Sequence, residues 1–285
     1  MTGCATQDGQ HTAHETEASA HAHVAEPVSD WEIQQQRQNL AENSLGKGFG
    51  PQAPRDIDSP HGTNPRVFGA APEYAQMNLC DIHFHKHAEH KGGEFTTYAG
   101  NGDGHGYKTG FRYSGTLSTN ELEPTKEAIC PSQHGAVYPG DTIEVHYVYS
   151  TANAAPGNSL STCFQESTVN PQLRVEAQVF VLVNDKNALD FVELNQVGKQ
   201  NGYYQALGLL NNTGDPVQYI GSTTGPSYNE QPSPFQVTWS VRPKVAKVNI
   251  ETVGQWCKSN EFDENHAHGV RNLVVNQDML SEIER

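Results

Sequence analysis

Two short stretches constrain this chain more than anything else in it: Cys80-Asp81-Ile82-His83-Phe84-His85 and Thr142-Ile143-Glu144-Val145-His146-Tyr147-Val148-Tyr149. Both read with a period of two, the signature of a strand whose successive side chains face opposite ways. On the first, Asp81, His83 and His85 share one face while Ile82 and Phe84 share the other. On the second, Glu144, His146 and Val148 lie together. Two imidazoles on one strand face can grip a single metal ion if a neighbouring strand supplies a third ligand, and the Glu144–Val148 run is such a strand.

The rest of the chain fits around strands. Leu79–His85, Thr142–Tyr149, Arg174–Val183 and Phe235–Val241 alternate or run apolar with β-branched enrichment, and 26 Gly and 16 Pro suit tight turns between them. Helical segments are few: Asp30–Asn43 with Asp30 as cap, Leu189–Leu194, and Asn276–Ile283 near the end. There is no internal repeat and no linker between residues 45 and 285. The expectation is a mainly β single domain over 29–285, with a central, mostly antiparallel sheet and few short helices.

Residues 1–28 read differently. Met1-Thr2-Gly3-Cys4-Ala5 resembles the end of a bacterial lipoprotein signal, in which a small-small-Cys run carries a lipidated cysteine. Residues 5–28 are rich in Ala, Glu, Thr and His without an apolar pattern, and read as a disordered tether. The tether holds His11, His14, His21 and His23, four of the 14 histidines. A lipid anchor at Cys4 and a periplasmic or cell-surface location are the corresponding expectations. The formal charge of −15 argues against nucleic acid or an anionic membrane as partner. No apolar run approaches the roughly 20 residues of a membrane span. The remaining cysteines, Cys80, Cys130, Cys163 and Cys257, form no C-x-x-C pair, and their even count favours two disulfides. Of three connectivities, Cys130–Cys163 with Cys80–Cys257 is preferred, since the first closes a local loop and the second ties the chain end to the sheet. The sequence leaves the oligomeric state open, a homodimer included.

Three neutral His ligands with an open fourth position make a catalytic zinc site, in which bound water has its pKa lowered to near 7. His83, His85 and His146 are the candidate ligands. Asp81 and Glu144 share their faces and would hold the far ring nitrogens, fixing the tautomers.

A family resemblance adds to this reading. His83-Phe84-His85-x-x-Ala88-Glu89-His90 and Glu144-Val145-His146-x-Val148 resemble the H-x-H-x-x-S-E-H and E-x-H-x-V segments of alpha-class carbonic anhydrases. Gly50–Ile57, Gly221-Ser222-Thr223-Thr224-Gly225-Pro226 and Gln236-Val237-Thr238-Trp239-Ser240-Val241 resemble further segments of that class in the same order. The wording from Cys80 to Phe95 is closer still to the delta class. The resemblance spans roughly residues 30–245, and the loop from Thr224 to Thr238 is longer than in the alpha class.

The resemblance implies a sheet of the alpha-carbonic-anhydrase type and reversible hydration of CO₂ to bicarbonate and a proton by zinc-bound hydroxide. His83, His85 and His146 would hold Zn²⁺. Thr223 would accept a hydrogen bond from the hydroxide and pass its own proton to Glu89, with Glu94 as a rival for the carboxylate's place. Thr224 would line the pocket and Val148 its apolar wall. Glu144 would orient His146, and Asp81 would contact the first ligand. No residue matches the family's proton-shuttle histidine; His61, His87, His90, His105, His134, His266 and His268 are candidates. Two rival readings remain. One is a cupin-like oxygenase or isomerase with His83, His85, Glu89 and His146 around iron or manganese. The other is a non-catalytic zinc-binding surface protein.

Overall fold

The computed structural model describes residues 26–284. The expectations for the leader, lipidation of Cys4 included, lie outside them up to residue 25. Val28 already donates its N–H to the Gly102 carbonyl at 2.9 Å, so the packed chain includes the last residue assigned to the tether.

In chain order the elements are α1 (Asp30–Ser44), β1 (Asn78–Lys86), β2 (Thr97–Tyr98), β3 (Phe111–Arg112), β4 (Ile129–Ser132), β5 (Gly135–Val137), β6 (Thr142–Ser150), β7 (Leu173–Val183), α2 (Phe191–Leu194), β8 (Val197–Gln200), β9 (Tyr203–Ala206), β10 (Val217–Ser222), β11 (Gln236–Val241), β12 (Ala246–Asn249) and α3 (Ile250–Lys258). The four strand segments legible in sequence become β1, β6, β7 and β11. They build a sheet of order β1-β6-β7-β11-β10, with β12 also pairing β7. Every residue of β6 and β7 is buried, which is why these two strands are central. The β1–β6, β6–β7 and β10–β11 pairings are antiparallel, whereas β11 and β12 run parallel to β7, so the sheet is mixed. Among the described residues no helix is long and apolar enough to cross a membrane.

Alternation divides the sheet into two faces with different tasks. Ile82, Phe84, Val145, Tyr147, Phe180 and Leu182 point one way and pack with Phe191 of α2 and Val253 and Trp256 of α3. Val148, Val175, Ala177, Val237 and Trp239 point the other way and pack with loops. The first face is apolar under the helices, with Arg174, Glu176 and Gln178 of β7 buried farther along it; the second carries the imidazoles and carboxylates of β1 and β6.

Three local expectations are corrected. Ser29, not Asp30, caps α1, accepting a hydrogen bond from the Glu32 N–H, and Asp30 sits in the first turn where its charge favours the helix dipole. Asn276–Ile283 forms only the single turn Gln277–Met279. Its backbone is engaged elsewhere: Gln52 and Asn64 donate to the Met279 and Leu280 carbonyls, and Ile283 donates to the Pro60 carbonyl. Helix α3 is absent from the sequence reading, because Thr252 and Gly254 weaken its propensity. Its buried Ile250, Val253, Trp256 and Cys257 nevertheless follow helical spacing.

The disulfides are Cys80–Cys163 and Cys130–Cys257, and the preferred pairing is overturned. The two bonds lie on opposite sides of the sheet. Cys80 and Cys163 belong to the cluster with Val148 and Trp239, and Cys130 and Cys257 to the cluster under α3. Proximity along the chain says nothing about which face a cysteine joins.

Phe180 lies at the centre of the apolar face and is fully buried. Phe180→Ala is expected to lower the unfolding free energy by about 4 kcal/mol, measured by chemical denaturation, while leaving metal stoichiometry unchanged. A loss of metal binding with little loss of stability would contradict the division of labour between the faces.

Candidate metal centre

Strand register assembles the site. In the β1–β6 ladder His83 stands opposite His146, Asp81 opposite Val148 and His85 opposite Glu144. On the next strand His146 faces Ala177, whose small side chain leaves room above it. The rings of His83, His85 and His146 meet with centroid separations of 5.2, 5.1 and 4.6 Å. One nitrogen from each ring lies within 4.8 Å of the other two.

The remaining nitrogens settle which atoms face inward. His83 Nδ1 donates to Asp81 Oδ2 at 2.6 Å, His85 Nδ1 to the Gly269 carbonyl at 2.7 Å, and His146 Nε2 to Glu144 Oε1 at 3.0 Å. With those N–H groups spent, His83 Nε2, His85 Nε2 and His146 Nδ1 present lone pairs to a common point. His146 Nδ1 and His83 Nε2 are 3.2 Å apart. Two ligands about 2.1 Å from a tetrahedral zinc would be separated by about 3.4 Å. His85 Nε2 is buried with no hydrogen-bond partner, a state that a metal ion would relieve. The three histidines fit zinc.

Charge follows the same geometry. Burial and the neighbouring imidazoles hold His85 well below its ordinary pKa, and burial takes His146 down to about 4 against the pull of Glu144. Both are therefore neutral and ready to ligate. His83 differs: burial would lower it, but the Asp81 carboxylate outweighs burial and its pKa is raised. Burial would also raise Glu144, yet His90, His146 and their hydrogen bonds hold it well below the carboxylate range. Glu144 Oε1 takes His90 Nδ1–H at 2.6 Å, and Oε2 takes the backbone N–H groups of Glu89 and His90. His90 Nε2 then accepts from the Tyr219 hydroxyl at 2.6 Å. His90, Glu144 and His146 also lie within metal-ligand reach of one another, but the ring nitrogens that face Glu144 are already spent as donors to it.

Beside the triad sits a hydroxyl–carboxylate pair, and it involves a different threonine from the one expected. Thr224 Oγ1 donates to Glu89 Oε2 at 2.7 Å. Thr223 instead meets the Ser233 hydroxyl, and its N–H donates to the Phe235 carbonyl at 2.9 Å. The long 224–235 loop folds back on Thr223 and leaves Thr224 to face Glu89. Glu89 Oε1 accepts the Arg271 N–H at 3.0 Å. Burial, with Glu144 nearby, pushes the Glu89 carboxyl up to about 7, opposed by the Arg271 and Thr224 hydrogen bonds. Glu94 is elsewhere, its carboxylate accepting from the Val245 N–H at 2.8 Å.

These groups open onto a cavity of about 410 Å³. Its floor holds Asp81, the three histidines, Thr223 and Thr224, and its apolar walls include Val148, Leu160, Val175, Val237 and Trp239. Of the seven other histidines within the described residues, His266 and His268 line it, and His268 Nε2 lies 3.1 Å from Glu264 Oε2. His87 and His90 are buried, and His61, His105 and His134 are exposed away from the cavity.

Several contributors are not legible in sequence as site residues. The Gly269 carbonyl and the Arg271 N–H are backbone groups, which carry no sequence signature. The buried Arg271 guanidinium also donates to the Ala53 and Tyr228 carbonyls, and Gln52 Oε1 accepts from the Ser233 N–H, fixing the loop that presents Thr224.

Because ligands must be neutral to bind metal, His83 with its raised pKa sets the acid limit of zinc affinity. Asp81→Asn should weaken zinc binding about tenfold and shift the loss of affinity to lower pH, since the group that raises His83 is gone. Chelator-competition titrations across a pH series measure both effects; an unmoved pH profile would contradict the assignment.

No curated protein sequence matches the chain. A family model does: residues 74–252 match Delta carbonic anhydrase, a span that contains both ligand strands, Glu89 and Thr224. With well over half of its length matched and its histidines so arranged, this chain belongs to the delta carbonic anhydrase family.

Proposed function

We propose that the protein is a zinc enzyme catalysing the reversible hydration of CO₂ to bicarbonate and a proton. One observation carries the reading: the Thr224–Glu89 pair stands beside three inward-facing imidazoles at the floor of a largely apolar cavity. Zinc held by His83, His85 and His146 would lower the pKa of a water to near 7 and so supply a nucleophile at neutral pH.

The protein's own groups do the rest. Glu89 accepts the Thr224 proton, so Thr224 Oγ1 turns a lone pair toward the cavity. An attacking oxygen must donate its O–H to that lone pair, which aims its own free pair at the apolar side. An anion with no proton to offer meets an acceptor and is disfavoured. CO₂ has no charge and no donor, and Val148, Val237 and Trp239 offer it an apolar wall. Glu264, His266 and His268 line the cavity and would relay the released proton outward. Asp81, the Gly269 carbonyl and Glu144 keep the three rings in the tautomers that ligation requires.

The iron or manganese reading would need Glu89 as a fourth ligand, but Glu89 does not join the three imidazoles within ligand reach, and its oxygens lie nearest the outward nitrogens His85 Nδ1 and His146 Nε2, at 3.8 and 4.0 Å. A non-catalytic zinc-binding protein would have no use for the Thr224–Glu89 pair. The two disulfides fit an oxidising compartment, and we place the enzyme outside the cytosol, with tethering through Cys4 as the accompanying proposal.

Stopped-flow CO₂ hydration on protein of known metal content tests the function; zinc-loaded protein without hydration would overturn it. Within that assay, Thr224→Ala and Glu89→Gln should each lower kcat/KM about 100-fold or more, whereas Thr223→Ala should stay within a few-fold of the parent. An amide at position 89 can donate to Thr224 and reverse its hydrogen bond. If Thr223→Ala proved the more damaging, the roles given to the two threonines would be wrong.

A further inference from the structure

The pairing of β1 with β6 is irregular at one place. It passes from Leu79 opposite Tyr149 to Asp81 opposite Val148, leaving Cys80 as the extra residue of a β-bulge. The bulge decides which way Cys80 points. Leu79, Ile82 and Phe84 lie in the apolar cluster under the helices, but Cys80 joins Val148 and Trp239 on the cavity side. Cys80 thus shares a face with Asp81, His83 and His85 instead of alternating with them.

Both functional ends of Cys80 are committed to one segment. Its sulfur is bonded to Cys163, the last residue of the turn Leu160–Cys163. Its carbonyl accepts the Gly157 N–H at 3.2 Å and the Thr162 hydroxyl at 2.7 Å. From β6, the Ser150 hydroxyl donates to the Cys163 carbonyl at 2.7 Å. Between these anchors run Asn158, Ser159 and Leu160, which line the cavity. Ser159 has φ of 87°, a left-handed conformation that a non-glycine residue keeps only where its surroundings impose it. Leu160 packs on the cluster that contains Val148 and Val175.

We propose that the Cys80–Cys163 disulfide is a positioning element for substrate binding: it fastens the Asn158–Leu160 wall over the strand that carries His83 and His85. Both sulfurs are fully buried, so the bond acts as a fixed brace. Cys130–Cys257, in the other cluster, is the internal control, a covalent tie with no part in the cavity. The inference rests on the CO₂-hydration reading for its kinetic test, but the placement of the wall can be measured without it.

The experiment compares zinc-loaded full-length protein with Cys80→Ala/Cys163→Ala, Cys130→Ala/Cys257→Ala and Leu160→Ala. CO₂ hydration is resolved into kcat and KM, and hydrogen exchange is followed across residues 157–164. The first double variant should raise KM about fivefold, the effect of losing about 1 kcal/mol of contact, with kcat within about twofold of the parent. Exchange should accelerate in that segment. Leu160→Ala keeps both disulfides and should raise KM in the same direction, and it decides the matter if the first double variant does not fold. The control pair should lose stability with KM unchanged. An unchanged KM in Leu160→Ala, or an equal rise in KM in the control, would overturn the proposal. If the parent protein hydrates no CO₂, the functional reading fails on its own. Exchange then judges the brace: acceleration confined to 157–164 in the first double variant upholds it, and none there overturns it.

Discussion

A buried carboxylate stays charged only if donors surround it, and the site is organised around how Glu144 meets that requirement. Its side chain is fully buried yet receives hydrogen bonds from His146, His90 and the backbone of residues 89 and 90. Each bond fixes something the chemistry uses. The bond to His146 sets its tautomer, the backbone bonds fix the chain where it leaves β1 and presents Glu89, and His90 carries the constraint to Tyr219 on β10. Removing one partner of such a buried charge costs about 3–5 kcal/mol, so the donors hold their places as a set. Burial pushes the Glu89 carboxyl upward, and the same Glu144 carboxylate nearby adds to that push.

The sheet separates stability from chemistry by alternation, broken only where the bulge at Cys80 turns a residue to the cavity side among the described strands of the site. Where α2 and α3 cover it, one face of β1, β6 and β7 is packed with aliphatic and aromatic side chains. The other exposes imidazoles and carboxylates to a cavity that is closed by segments distant in sequence. Gln52 from the N-terminal part and Arg271 from the C-terminal part both fasten the loop that ends β10. Gly269 and Arg271 lie beyond the span matched by the family model, yet they hold His85 and Glu89.

The features legible in sequence are those a local period can encode. His83, His85 and His146, with Asp81 and Glu144, can be placed because a strand's two-residue repeat assigns faces without knowledge of the fold. The same repeat fails at Cys80, where a bulge breaks it, and so the cysteine's face and its pairing with Cys163 are not readable. Thr223 and Thr224 cannot be told apart, because their roles depend on how a loop of unusual length folds back to place Ser233 against one of them. Helix α3 hides behind its β-branched residues and Gly254. The contributions of Gly269 and Arg271 are backbone atoms delivered by tertiary structure, and no residue pattern announces them.

Three imidazoles, each locked by a partner behind it, converge where they would hold one metal ion, and the proposed chemistry depends on that convergence. Zinc K-edge absorption spectroscopy of the zinc-loaded protein tests it most directly. Four light ligands at about 2.0–2.1 Å, with the multiple scattering of three imidazoles, are the expected result. A sulfur ligand, a carboxylate-rich shell or fewer than three imidazoles would contradict it.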